Sequence, residues 1–291
     1  MTRSSATVIG FGAVLLWSLL ALFTVGSAPT PPLLLNAICF SIGGALGLIW
    51  TLANGGLGQL RQVPLGIYAF GTLGLFGYHA LYFSALRLAP AAEAGLIAYL
   101  WPLLIVLFSG LLPGERLRRG HLIGAGFGFV GAALIISGAG SGFQTQYLAG
   151  YGLALLCALT WSGYSVMSRR FGSAPTASVA VFCIATAVLS AGLHLALEDT
   201  VWPEGRLGWI ATIGLGLGPV GLAFYIWDIG VKRGDIQLLG TSSYAAPLLS
   251  TLILVGAGIA SPSWTLALSA VLITGGAAIA ARASLSDNLS Q

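Results

Sequence analysis

Apolar runs of about twenty residues recur ten times along this chain, joined by short connections. A helix of that length crosses a ~30 Å hydrocarbon core, so one globular core inside a wetted surface is excluded. The runs are roughly Ala6–Val25, Leu33–Leu52, Leu65–Leu86, Ala91–Leu112, Leu122–Ser137, Leu148–Val166, Ala177–Leu197, Leu207–Val231, Leu238–Ala260 and Trp264–Ala281. Only 7% of residues are charged, against about 25% in a soluble domain. In lipid the backbone must satisfy its own polar groups, which here means helices. The expected fold is therefore an all-α integral membrane protein of ten transmembrane helices.

The runs divide into two copies of one pattern, residues 1–145 and 146–291. Gly95-x3-Tyr99-x2-Pro102-Leu103-Leu104 returns 145 residues later as Gly240-x3-Tyr244-x2-Pro247-Leu248-Leu249. Gly26-Ser27-Ala28-Pro29-Thr30 returns as Gly172-Ser173-Ala174-Pro175-Thr176, Trp17-Ser18 as Trp161-Ser162, and Gly131-Ala132-Ala133-Leu134 as Gly276-Ala277-Ala278-Ile279. Five spans per copy is an odd number, so the second copy enters the bilayer from the opposite side. Inverted repeats with a binding site at their interface are the architecture of many secondary transporters. A central cavity between the two five-helix repeats is the expectation.

Basic residues sort by side. With the N-terminus inside, Arg3, Arg61, Arg116, Arg118, Arg119, Arg169, Arg170, Lys232, Arg233 and Arg282 fall on cytoplasmic segments, and only Arg87 and Arg206 lie outside. That asymmetry predicts cytoplasmic termini. The net charge of +4 is an orientation device, and no nucleic-acid partner is implied. Cys39, Cys157 and Cys183 all lie within spans and read as small buried hydrophobes. The first apolar run lacks a small-residue cleavage site and is expected to stay as a helix.

Several polar and aromatic residues at membrane depth are candidates for contact with a substrate. Gly95, Tyr99 and Pro102 fall at i, i+4, i+7 on one helical stripe, as do Gly240, Tyr244 and Pro247. Each proline removes a donor and frees the carbonyl four residues earlier, at Ala98 and Ser243. Such helix breaks are tolerated where protein or a wet cavity satisfies the freed group. Tyr78, His79 and Tyr82 share an arc of the third span. Trp17, Trp101 and Trp161, the last with Tyr164 three residues on, lie well inside spans, where an indole N–H finds no partner in lipid. Trp50, Trp202, Trp209, Trp227 and Trp264 fall near span ends and read as an interfacial belt. The candidate site is thus Trp17, Tyr78, His79, Tyr82, Tyr99, Trp101, Trp161, Tyr164, Ser243 and Tyr244, with Pro102 and Pro247 as the breaks. Each has a plainer reading as packing.

Leu112-Pro113-Gly114-Glu115-Arg116-Leu117, followed by Gly124 and Gly131, resembles the close of the first repeat in the drug/metabolite transporter superfamily of the EamA type. Tyr78-His79, Tyr82, Tyr99 and Trp101-Pro102 resemble the aromatic amino-acid exporters within it. The second copy departs from the pattern, since Gly258-Ile259-Ala260-Ser261-Pro262 carries no Glu-Arg pair. Glu115 is therefore expected to be a structural partner of Arg116–Arg119. The resemblance implies a bacterial cytoplasmic-membrane exporter of small amphipathic substrates, aromatic amino acids favoured, with a broad drug or metabolite exporter as the alternative. It implies no cofactor and no obligate protein partner.

Other functions lack their chemistry. Gly126-x-Gly128-x-x-Gly131 matches a dinucleotide fingerprint but lies inside a span with no preceding strand, where close helix packing through Gly124-x3-Gly128 accounts for it. Lys232, the only lysine, is in no Walker A loop, and three histidines offer no paired metal spacing or catalytic triad. An enzyme or a channel is the weaker class. Glu93 and Asp228 lie near span ends beside Arg87 and Lys232 and read as snorkelling or surface pairs. His79 is the one imidazole at real depth. With a reference pKa of ~6.5 but no carboxylate beside it, it favours exchange or facilitated flux over obligate proton coupling.

Overall fold

The structure, a computed structural model, describes residues 1–137, 144–258 and 261–288, and the described residues contain helices and turns but no strand. In chain order the helices are α1 (Arg3–Trp17), α2 (Leu20–Gly26), α3 (Pro32–Ala53), α4 (Leu57–Arg61), α5 (Leu65–Leu88), α6 (Ala91–Ala98), α7 (Trp101–Ser109), α8 (Arg119–Ile136), α9 (Leu148–Arg170), α10 (Ser178–Leu197), α11 (Gly205–Leu217), α12 (Ala223–Arg233), α13 (Ile236–Ser242), α14 (Ala245–Gly256) and α15 (Trp264–Asn288). Ile259 and Ala260, in the turn expected to close the second copy and at the end of the ninth run, lie outside the described residues.

Seven helical stretches are long and apolar enough to cross a membrane, and the Glu93–Ser109 segment is a shorter apolar one. Helices α5 and α9 have the length, at 24 and 23 residues, but composition alone does not mark them, because tyrosine, serine, glycine and histidine interrupt their apolar runs. Those same residues build the interior.

Starts and stops follow local chemistry. Thr2 caps α1 by accepting from Ser5 N–H, Pro32 opens α3 at a position where its missing N–H costs nothing, and Asp235 caps α13 by accepting from Leu238 N–H. The two repeated prolines break their helices as their missing donors require. α6 stops at Ala98 and α7 restarts at Trp101 with Pro102 in its first turn, while α13 stops at Ser242 and α14 restarts at Ala245. Two further irregularities are not signalled by a repeated proline. α1 yields to α2 at Ser18–Leu19, and a five-residue π-turn, Gly218–Leu222, joins α11 to α12.

The main packing partners are α8 with α15, α3 with α10, α5 with α9, and α1 with α12. Glycine permits the closest of these. A Cβ at Gly124 would meet the carbonyl of Gly276, so α8 and α15 touch backbone to backbone. Close packing is the role expected for Gly124 and Gly128, and a Cβ at Gly128 would likewise meet the Tyr244 ring.

Two sets of polar contacts tie the ends of the bundle. At one end Glu115 accepts from Arg3 at 3.1 Å and pairs with Arg169, whose other nitrogen donates to the carbonyls of Val231 at 2.9 Å and Gly234 at 2.8 Å. Glu115 therefore reaches across to α1 and α9, a correction to its expected pairing with Arg116–Arg119. The chain turns just before it, at Gly114 with φ +81°, and the partners it finds are remote in sequence. At the other end Glu198 accepts from the N–H groups of Leu33 and Leu34, from Arg87 at 3.3 Å and from His194 at 3.0 Å. A carboxylate at the start of α3 suits that helix's positive end. Arg87 thus pairs with Glu198, not Glu93, which is itself buried. Asp228 and Lys232 do pair, at 2.9 Å, but inside the protein and not at the surface.

Candidate functional site

The broken segments and the aromatic helices converge on a cavity of about 160 Å³. Trp17 from α1, Tyr78, His79 and Tyr82 from α5, Tyr99 and Trp101 from the α6–α7 break, and Trp161 from α9 all line it. The remaining wall is Leu20, Phe224 and the π-turn residues Pro219 and Val220. Every lining side chain except the His79 imidazole is uncharged at all ordinary pH, and the wall is mostly aromatic.

Mutual ring packing holds this wall in place. Trp17, Trp101 and Trp161 meet pairwise edge to face with centroids 5.9–6.3 Å apart, the arrangement that the ring quadrupole favours. Tyr78 and Tyr82, one turn apart, lie parallel at 6.2 Å. His79 is set by Phe40 at 5.0 Å and by a 2.7 Å hydrogen bond between its Nδ1 and the Leu75 carbonyl. A carbonyl only accepts, so Nδ1 carries the proton and Nε2 of the neutral ring is an acceptor.

The polar tips divide into those already used and those free for a guest. The Trp17 indole donates to Pro219 O at 3.1 Å, a carbonyl at the π-turn. The indoles of Trp101 and Trp161 and the hydroxyls of Tyr78, Tyr82 and Tyr99 make no hydrogen bond to other described residues. With His79 Nε2 they offer donors and an acceptor around a flat apolar space. Such a site can stack an aromatic ring and hydrogen-bond a carboxylate and an ammonium. No group of three or more metal-ligating side chains occurs among the described residues.

A second cavity of about 410 Å³ shares Leu20, His79 and Val220 with the first and continues past Asn36, Pro32 and Ser27. It leads toward the end of the bundle held by Glu198. Together the two fall within the ~300–1,000 Å³ of small-molecule sites. Toward the Glu115 end the aromatic wall is backed by Trp227, which is fully buried.

Three expected residues are not in the wall. Tyr164 packs face-on to Phe70 and lies over Gly74, fastening α9 to α5. Ser243 is buried and donates to Leu239 O within its own helix, and its carbonyl accepts from Ala246 N–H, so the break leaves it occupied. Tyr244, expected opposite Tyr99, is fully buried, and its hydroxyl accepts from Leu103 N–H at 3.1 Å. It satisfies a donor that Pro102 and the break leave without a helical partner. The repeated tyrosines have therefore parted: one lines the cavity and the other closes the facing break.

Phe224 and Trp227 belong to this wall and its backing, although the sequence does not single them out as site residues. Trp227 is expected in the interfacial belt, yet it is fully buried, donating to Ser165 Oγ at 3.1 Å and lying 5.1 Å from Trp17. Helix α12 runs two residues beyond the expected span end and turns this face inward. Trp50, Trp202, Trp209 and Trp264 are exposed, as the belt reading requires. The internal repeat carries the missing signal, for 145 residues beyond His79 and Tyr82 stand Phe224 and Trp227.

Comparison with known proteins gives the family. The model of the EamA-like transporter family matches twice, over residues 4–137 and 148–282. An aromatic amino acid exporter, YddG, of Ancylobacter novellus is 58% identical over 96% of this chain and 98% of its own length. A protein of the same name from Escherichia coli K12 is 27% identical over 95% and 96%. A solved structure of 58% identity superposes with a TM-score of 0.92 over 96% of this chain and 98% of its own. With the family matched across both halves and the relatives covered nearly end to end, the chain belongs to the EamA-like transporter family, whose members are membrane transporters and not enzymes.

Proposed function

We propose that this protein is a bacterial inner-membrane secondary transporter that exports aromatic amino acids by alternating access through the aromatic cavity. The observation that carries the reading is the wall itself. Flat side chains stack on indole and phenol faces, while the free donors of Trp101, Trp161 and the tyrosines, with His79 Nε2, suit a carboxylate and an ammonium. The relatives named as aromatic amino acid exporters support that substrate class.

The architecture we propose is ten spans in two inverted five-span repeats, 1–145 and 146–291. In it α1–α2, α6–α7, α11–α12 and α13–α14 each form one interrupted span. Two observations support it. The family model matches each half separately. The packing is also what a pseudo-twofold relation requires: the fifth span pairs with the tenth and the second with the seventh, while third-with-sixth is exchanged for eighth-with-first. The bias of basic residues favours the Glu115 end in the cytoplasm and the Glu198 end outside.

Export is tested in cells fed a phenylalanine-containing dipeptide, which peptidases convert to a phenylalanine load. Cells producing the protein release phenylalanine faster than cells carrying an empty vector, and added tyrosine or tryptophan dipeptide competes. Release at the empty-vector rate, with the protein present in the membrane, contradicts the proposal.

A further inference from the structure

We infer that Trp227 becomes a substrate-lining residue when the cavity opens toward the Glu115 end, occupying the place that Tyr82 holds while it opens toward the Glu198 end. This rests on the inverted-repeat reading above. In such transporters the two repeats exchange conformations between states, so a mate that is covered in one state takes the lining position in the other, whereas mates such as Trp17 with Trp161 and His79 with Phe224 already line the cavity together. Tyr82 and Trp227 stand 145 residues apart, the offset of the repeat. Tyr82 lines the present cavity. Trp227 is fully buried on its closed side.

The surroundings of Trp227 fit a residue that is covered for now, and differ from those of an ordinary core aromatic. Its ring lies 5.1 Å from Trp17, 5.9 Å from Trp101 and 6.4 Å from Trp161, so it is one layer behind three lining indoles. Its only polar tie among the described residues is the 3.1 Å bond to Ser165 on α9, exchangeable for water or for a substrate carboxylate. What keeps it covered is at the next turn of α12. Arg169 donates to the Val231 and Gly234 carbonyls and is itself held by Glu115, which also holds Arg3. Opening that clamp frees the end of α12 and uncovers the indole from the Glu115 side.

The test uses the full chain in proteoliposomes, with Cys39, Cys157 and Cys183 replaced by alanine and Ser165→Cys introduced beside Trp227. A membrane-impermeant maleimide should label this thiol from the Glu115 face only. Glu115→Gln should speed labelling, and phenylalanine on that face should slow it. Trp227→Leu should raise the half-protecting phenylalanine concentration about two- to twelve-fold, the value of one buried aromatic contact, and Trp227→Phe should raise it less. Labelling from the Glu198 face, no labelling with or without Glu115→Gln, or protection unchanged by Trp227→Leu would each overturn the inference. Should Trp227→Leu fail to fold, the face of labelling and its response to Glu115→Gln decide the matter. Correct labelling that no aromatic amino acid slows would leave the exposure of Trp227 standing and refute the substrate assignment instead.

Discussion

An indole inside a membrane protein brings a large flat face and one N–H that lipid cannot satisfy, and the four inward tryptophans here, Trp17 partly buried and Trp101, Trp161 and Trp227 buried, resolve that demand in two ways. Trp17 and Trp227 give their N–H to Pro219 O and Ser165 Oγ, so in this state their N–H groups hold the wall and are not offered to a guest. Trp101 and Trp161 hold theirs toward the cavity with no protein partner among the described residues. A stacked aromatic contact contributes about 0.5–1.5 kcal/mol beyond buried area. Trp101→Ala should therefore lower the apparent affinity for phenylalanine roughly two- to twelve-fold and that for threonine much less, at equal protein in the membrane. Equal losses for both would return Trp101 to a packing role. Most of this wall was legible in the sequence, because polar-tipped aromatics grouped at membrane depth need partners that lipid does not supply. Trp227 was not, because its nearness to a span end suggested the interface, and only the repeat offset argued otherwise.

At the scale of elements, each repeated proline does what its missing donor dictates, but the two breaks are completed differently. Tyr244 O accepts from Leu103 N–H across the interface between halves, and Tyr99 turns to the cavity. Removing the acceptor of a buried donor costs about 1–3 kcal/mol. Tyr244→Phe should thus lower the thermal midpoint in detergent while leaving the ratio of phenylalanine to threonine transport unchanged. Tyr99→Phe should change that ratio with little loss of stability. The same response from both variants would contradict this division. The proline breaks could be read from spacing, but the Ser18–Leu19 break could not, since no proline marks it and its repeat mate lies within the continuous α9. The π-turn at Gly218–Leu222 was likewise hidden, although its Pro219 removes a helical donor. Helices α5 and α9 escape the hydropathy signal because polar-tipped and small residues dilute their apolar runs, whereas α1–α2, which also supplies the wall, carries the strongest signal.

For the whole molecule, the cavities open toward Glu198 while Glu115, Arg3 and Arg169 close the other end. The proposed topology predicts that in intact cells a cysteine at position 204 is labelled by an external impermeant reagent and one at position 118 is not. The reverse pattern would invert the assignment. Alternating access through one cavity also predicts that the carrier needs no external energy to equilibrate its substrate. Among the described residues, His79 is the only imidazole in the wall, and no carboxylate lines it. The measurement that bears most directly on this account is labelled-phenylalanine counterflow in proteoliposomes preloaded with unlabelled phenylalanine, with no pH gradient. The account predicts a transient accumulation of label above equilibrium that saturates with concentration and needs roughly two- to twelve-fold more phenylalanine in Trp101→Ala. Label entry no faster than in protein-free liposomes, or entry only when a proton gradient is imposed, would contradict it.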